Sequence, residues 1–255
     1  MITSFHNPKI KQLYAWLTYP KARRESGIIV LEGVRLIESA VQAGLTLDLV
    51  LYSDNLSERG KTLISKLVNA EVLEVDSQLL GRVSATTTSQ GIIASTARFE
   101  LNLPEELDLL LVMDNIQDPG NAGSLLRSAL GAGAQAVIFT PGSVDPYSPK
   151  VLRAGMGAHF YIPIRTMPIE EIKYRYHDRL SFWTTQKISG TPYWQVDMKQ
   201  PSLVAIGSEA TGVSREMHAL CPGAITIPTC DKVESLNAAV AGSIILFEAR
   251  RQRAE

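Results

Sequence analysis

The chain has 255 residues, a formal net charge of −1 and 45% hydrophobic residues, enough for one large or two ordinary domains and too apolar for a disordered chain. No apolar run is long enough to span a bilayer, and Met1, Ile2, Thr3, Ser4, Phe5 and His6 lack the basic-then-apolar pattern of a secretory signal, so a soluble cytoplasmic protein is expected. The two cysteines, Cys221 and Cys230, have no Cys or His neighbours at metal-ligand spacing, which argues against a zinc site and, in a reducing compartment, against a disulfide.

In chain order, a basic helical leader is expected over residues 7–17. Short β-rich runs at residues 28–31, 47–52, 72–75 and 92–94 then alternate with helical patterns at 34–43 and 56–68, which implies an α/β sandwich. Residues 98–105 are polar and carry Pro104. They follow a complete set of elements and precede a fully apolar strand, so the boundary is placed there, between domains of residues 1–98 and 106–255. The second domain opens on Leu109, Leu110, Leu111, Val112 and Met113, whose unbroken apolarity fits a strand buried on both faces of a parallel sheet. A Gly-rich loop, a helix over 122–130, a strand over 136–139 and a helix near 150–156 come next. Strands at 161–164, 181–184, 203–206 and 224–227 follow, and the chain closes in a helix from about 236 to 251.

A sequence pI near 6.4 does not mark a nucleic-acid binder in bulk. Local clusters do carry charge: Lys9, Lys11, Lys21, Arg23 and Arg24 in the leader, Lys150, Arg153, Arg165, Lys173, Arg175 and Arg179 in the second half, and Arg250, Arg251 and Arg253 near the end. Such clusters either contact phosphates at fixed places or form solvated helix faces.

Three loops lie where α/β folds leave backbone donors and acceptors unpaired for ligands. In the first, Gly120 and Gly123 permit close backbone approach, Asn121 is a candidate helix cap, and Arg127 falls near the middle of the following helix. It has neither the Lys-Ser/Thr pair of a phosphate loop nor dinucleotide-fingerprint spacing. In the second, a buried strand runs into Gly207, Ser208 and Glu209, a carboxylate able to orient an arginine or sit near a cationic ligand. In the third, Ile227 and Pro228 end a strand, and Glu234, Ser235, Leu236 and Asn237 precede an apolar helix. A plain helix cap and a ligand-binding turn both fit that pattern.

Taken in order, Asn121, Gly123, Leu125 and Arg127, then Gly207, Ser208, Glu209 and Gly212, then Ile227 and Pro228 followed by Glu234, Ser235, Leu236 and Asn237 resemble the three motifs of the SpoU/TrmH family of RNA ribose 2′-O-methyltransferases, in the SPOUT superfamily. The resemblance covers most of residues 107–251. Leu31, Glu32 and Gly33, with the helix after them and the leader, are similar to the family's ribosomal-protein-like substrate-binding domain. It implies an α/β fold with a trefoil-knotted, parallel-sheet methyltransferase domain behind a smaller ribosomal-protein-like α/β domain, an exception to the rule against knots. It also implies S-adenosyl-L-methionine as methyl donor without a metal, an RNA partner, homodimerisation and no membrane. Gly207, Ile227 and Leu236 match the family's cofactor positions, and Asn121, Arg127, Glu209, Ser235 and Asn237 its polar active-site set.

The family proposal makes the arginine the base that accepts the 2′-hydroxyl proton. Because a guanidinium ordinarily stays protonated at neutral pH, the more conservative role is orientation of the neighbouring phosphate. Two residues depart from the pattern: Ala210 stands where a second Gly commonly follows Gly-Ser-Glu, and Asp231 where the third loop usually has Gly. Large-subunit ribosomal RNA is the substrate the two-domain form implies. The alternatives are a tRNA 2′-O-methyltransferase, a non-catalytic RNA-binding or ribosome-assembly protein that retains the fold, and an unrelated nucleotide-binding enzyme.

Overall fold

A computed structural model describes residues 1–86, 88–230 and 232–254. These residues form two compact units, Met1–Phe99 with Tyr147–Phe160, and Glu100–Pro146 with Tyr161–Glu255.

The first unit runs α1 (Pro8–Thr18), α2 (Pro20–Ser26), β1 (Ile28–Glu32), α3 (Val34–Gln42), β2 (Leu49–Tyr52), α4 (Glu58–Ile64), β3 (Glu71–Glu74), α5 (Ser77–Val83) and β4 (Ile92–Ala97). Its sheet has the order β1-β4-β2-β3, with β2 and β3 parallel and the other pairs antiparallel. Because strand side chains alternate between faces, the sheet buries two cores. Ile29 and Leu31 join Ile37 and Leu63 on one face, while Val30 and Ile93 meet Ile10, Leu13 and Leu80 on the other. Tyr147, Leu152 and Phe160 complete the first of these cores, so the helix Pro149–Gly155 packs here although it lies beyond the boundary expected near residue 100. Arg23 is buried and donates to the carbonyls of Trp16 and Leu17 at the end of α1, where a cation neutralises the orphan acceptors of a helix C-terminus.

The second unit continues with β5 (Leu109–Asp114), α6 (Pro119–Ala132), β6 (Ala136–Phe139), the first-unit helix α7 (Pro149–Gly155), β7 (Ile164–Thr166), α8 (Ile169–Tyr176), β8 (Ser181–Thr185), β9 (Thr191–Pro192), β10 (Ser202–Gly207), α9 (Arg215–Leu220), β11 (Gly223–Thr226) and α10 (Ala238–Ala254). Seven strands form one sheet in the order β7-β6-β5-β10-β8-β11-β9, parallel at every pairing. Every residue of β5 and β10 is buried, as the apolar runs over residues 109–113 and 203–206 imply, and the polar Asp114 and Ser202 at their ends are buried with them. On one face Leu110, Val112, Phe182 and Leu203 pack with Ile172 of α8 and Met217 of α9. At Gly242 of α10 an added Cβ would lie 2.4 Å from Leu125 of α6 and 3.2 Å from Ile206 of β10, and the Ser128 and Ser243 hydroxyls meet at 2.6 Å. The small residues of α10 therefore let it lie close against α6.

Two expectations are corrected. The strand expected over 161–164 begins only at Ile164, after a 3-10 turn at Ala158–Phe160, because Pro163 has no N–H for the ladder and offers only its carbonyl to Val137. The helix expected over 122–130 starts at Pro119, since Asp118 is its cap: its Oδ1 accepts from the Asn121 amide at 2.7 Å, and Asn121 lies inside the first turn instead of capping it. Among the described residues no helix is long and apolar enough to cross a membrane.

Candidate active site

All strands of the second sheet point the same way, so the loops after β5, β8, β10 and β11 emerge at one edge. Asn121, in the first turn of α6, donates from Nδ2 to Glu209 Oε1 in the loop after β10 and accepts at Oδ1 from Asn237 Nδ2 at 2.9 Å. Asn237 also caps α10, its Oδ1 accepting from the Ala239 and Val240 amides at 2.9 and 3.2 Å. Capping and site-building are therefore done by one side chain. The chain Glu209–Asn121–Asn237 ties together three loops that lie 88 and 116 residues apart in sequence.

Beside this network lies a cavity of about 310 Å³, lined by Gly207, Ile227 and Leu236 together with Glu209 and Ser235. Its apolar wall comes from Ile206, Ile225 and Ile245. Gly207 is obligatory where it stands: a Cβ there would fall 2.0 Å from the Gly212 carbonyl carbon and 2.1 Å from the Val213 nitrogen. Residues 208–212 fold back so tightly because the Gly212 amide donates to the Ser208 carbonyl at 2.8 Å and Gly212 takes a φ of 68°. Ala210 is not among the residues with positive φ, so an alanine sits in this turn without backbone strain. Asp231, the other departure, lies outside the described residues.

Arg127 is not joined to this cluster. It is exposed on α6 six residues beyond Asn121, which at about 100° and 1.5 Å per residue places it a third of a turn round and about 9 Å along the helix. Among the described residues it has no ion pair or hydrogen-bond partner, so its guanidinium faces outward, available to something the chain itself does not supply.

Several of the basic residues in the clusters that fit either phosphate contacts or solvated helix faces are engaged internally. Arg153 pairs with the buried Glu32 at 2.8 Å, Arg253 with Asp108 at 2.8 Å, Arg251 with Glu248 at 2.8 Å and Arg175 with Glu171 at 2.7 Å. Lys9 pairs with Glu71, and Arg165 donates to the Leu101 carbonyl at 2.6 Å. Lys11, Arg24, Lys150, Lys173 and Arg250 remain exposed, with no ion pair among the described residues.

Sequence reasoning passed over two parts of the site. Thr185 at the end of β8 and Gln186 and Lys187 in the loop after it line the cavity, a position readable only once β8 is known to end at the same edge. Asp114, the last residue of β5, is 2% exposed and holds two donors: Thr140 Oγ1 at 2.8 Å and the Ser214 amide at 2.6 Å. An acid at the end of an apolar strand was the available signal.

The cysteines are free, Cys230 exposed and Cys221 partly covered. Burial, reinforced by the Asp114 charge, pushes the Cys221 thiol up to about 12. At pH 8 its thiolate fraction is negligible, so iodoacetamide treatment of the folded protein is expected to alkylate Cys230 and leave Cys221 unmodified by peptide mass spectrometry. Equal labelling of both would contradict this environment.

Residues 108–247 match the model of the SpoU rRNA methylase family, and residues 7–94 match an MRM3-like substrate-binding domain. An uncharacterized tRNA/rRNA methyltransferase of Synechocystis is 32% identical over 99% of this chain and 94% of its own length. The 23S rRNA (guanosine(2553)-2′-O)-methyltransferase RlmP of Bacillus subtilis is 29% identical over 98% of each chain. The crystal structure of the SpoU methyltransferase AviRb from Streptomyces viridochromogenes, in complex with AdoMet, superposes with a TM-score of 0.88 at 29% identity, covering 98% of this chain and 99% of that one. With a parallel-sheet fold, three converging loops and a family match spanning more than half its length, the chain belongs to the SpoU rRNA methylase family.

Proposed function

We propose that this protein transfers a methyl group from S-adenosylmethionine to a ribose 2′-hydroxyl in large-subunit ribosomal RNA. The observation that carries the proposal is the juxtaposition of the cavity formed around Gly207, Ile227 and Leu236 with the polar network Glu209–Asn121–Asn237. The cavity fits such a donor in kind: isoleucines give apolar walls for a flat base, loop residues such as Gly207 and Gly212 can offer backbone hydrogen-bonding groups, and Glu209 and Glu234 among the lining residues are acids suited to a cationic donor. S-adenosylmethionine, when bound, supplies an electrophilic methyl group that needs no metal. The chain's own residues then have positioning work, since aligning hydroxyl and methyl carbon accounts for much of the attainable rate.

In this assignment Asn121 and Asn237 hold the loop edges that receive the ribose, Ser235 contacts the ribose or donor from the cavity wall, and Glu209 fixes Asn121. Arg127 binds the phosphate beside the target nucleotide, orienting the hydroxyl whose proton passes to phosphate or solvent. Residues 1–98 serve as the RNA-binding domain and residues 106–255 as the methyltransferase domain. The C-terminal part is threaded as a trefoil knot, which the insertion of β10 between β5 and β8 and the return of α10 onto α6 support. The protein works as a cytoplasmic homodimer. Val240 and Phe247, exposed by 49% and 51% on α10, are the apolar surface that a second copy would cover.

The test is incubation with methyl-labelled S-adenosylmethionine and ribosomal RNA, with the product mapped by resistance to alkaline cleavage and the protein's mass measured by sedimentation. Label in a single 2′-O-methyl nucleotide of large-subunit RNA and a dimer at micromolar concentration are expected. Label in tRNA alone would move the substrate to the alternative, and RNA binding without cofactor uptake would leave a non-catalytic binder.

A further inference from the structure

Asp114 lies outside the cavity and outside the polar network, yet it governs the loop that joins them. In the parallel pairing of β10 with β5, Asp114 stands opposite Gly207, the residue at which the loop carrying Glu209 departs. Seven residues later the loop returns, and the Ser214 amide donates to Asp114 Oδ2 at 2.6 Å. Both ends of this loop therefore meet at one residue. The other carboxylate oxygen accepts from Thr140 Oγ1 at 2.8 Å, and Thr140 Oγ1 in turn accepts from the Asn115 amide at 3.0 Å. The same hydroxyl thus links the start of the first loop, where Asn115 takes a φ of 55°, to the clasp. Asp114 and Thr140 are each 2% exposed, so water does not replace these bonds while the fold is intact.

We infer that Asp114 is a positioning residue for the methyl-donor cavity, its buried carboxylate clasping the Gly207-to-Ser214 loop in the shape that forms the cavity wall and presents Glu209 to Asn121. A loop released at Ser214 keeps its internal Ser208–Gly212 turn but loses its anchored exit, so the wall and Glu209 become mobile together. The inference rests on the cofactor assignment above for its effect on binding. The clasp itself stands on geometry alone.

The experiment pairs hydrogen exchange with titration of S-adenosylmethionine. Without any ligand, Asp114→Ala is expected to speed amide exchange across residues 207–214 at least tenfold, with the strands β5 and β6 still protected. Calorimetric titration is expected to show cofactor affinity weakened at least tenfold and RNA affinity within twofold of the wild type. Asp114→Asn, whose amide oxygen still reaches the Ser214 N–H, is expected to recover most of the loss, whereas Asp114→Leu, of the same branched shape but without an acceptor, is expected to recover none of it, and equal recovery in the two would show a packing defect and overturn the inference. Unchanged exchange over 207–214 in Asp114→Ala overturns the clasp. A wild type that takes up no S-adenosylmethionine, with exchange still faster in the variant, overturns the cofactor assignment and leaves the clasp standing. Should Asp114→Ala fail to fold, Ser214→Pro, whose ring suits the φ of −61° at this position and removes the N–H that Asp114 holds, is read by the same exchange over residues 207–213, where wild-type protection would overturn the inference.

Discussion

Arg127→Ala is expected to lower the rate of methyl transfer by at least about 100-fold while leaving S-adenosylmethionine affinity within about twofold, the scale on which losing a group that assists in the transition state is felt. The split follows from placement. Arg127 is exposed on α6 and does not line the cavity, so the donor loses no contact with it. Among the described residues it holds nothing in place, and its removal is expected to lower stability by no more than the ordinary surface substitution, within about 0.5 kcal/mol. What it loses is its external partner, taken here to be a phosphate of the RNA. Arg127→Lys separates the two roles considered for it. A lysine keeps a point charge but not the planar fork, so a phosphate-orienting role predicts partial recovery, with the pH dependence of turnover unmoved. A proton-accepting role predicts instead a turnover profile that shifts towards the lower pKa of an amine. Steady-state kinetics across pH distinguish these outcomes, and unchanged turnover in Arg127→Ala removes the residue from the mechanism altogether.

How far the sequence carried this picture depends on whether the signal was local. The strand Ala136–Phe139 and the buried runs of β5 and β10 were legible because continuous apolarity between loops reports burial on both faces. The helices α2, α5, α8 and α9 were not: each has eight residues or fewer, and α9 buries only Met217, too little to establish a period. The two-residue β9 is defined only by its pairing with Ile225 and Thr226. The placement of residues 147–160 against the first sheet was equally hidden, because the apolar pattern of Leu152 and Phe160 says that they are buried and not by what. In the site, the motif residues were found through their resemblance to a family. The roles that depend on partners were misassigned or missed: Asn121 looked like a cap when Asp118 is, and Asp114, passed over where the apolar strand meets the first loop, holds the exit of a loop 100 residues away. Much of the basic character read along the chain had the same weakness, since Arg153 and Glu32 are 121 positions apart and only folding shows that they neutralise each other.

Gly207→Ala is expected to have the second large effect, and of the opposite kind: loss of cofactor binding of about 100-fold or more, with turnover lost only because the donor site is empty. The added methyl group would stand 2.0 Å from the Gly212 carbonyl carbon, 2.1 Å from the Val213 nitrogen and 2.2 Å from the Gly212 oxygen. All three are backbone atoms, so no rotamer change relieves the contact, and either β10 or the turn must move. β10 is hydrogen-bonded on both sides, to β5 and to β8, and is buried along its length, so the turn is the part that yields. Overpacking of this kind costs about 1–3 kcal/mol, a cost the sheet can absorb without unfolding. The displaced turn carries the cavity wall at Gly212 and the Glu209 carboxylate that Asn121 holds, so both the donor pocket and the network beside it are deformed by one methyl group. Titration calorimetry with S-adenosylmethionine and a thermal melt together check the argument. Normal cofactor affinity in a folded Gly207→Ala would mean that the donor does not touch this turn, and would move its site away from the cavity.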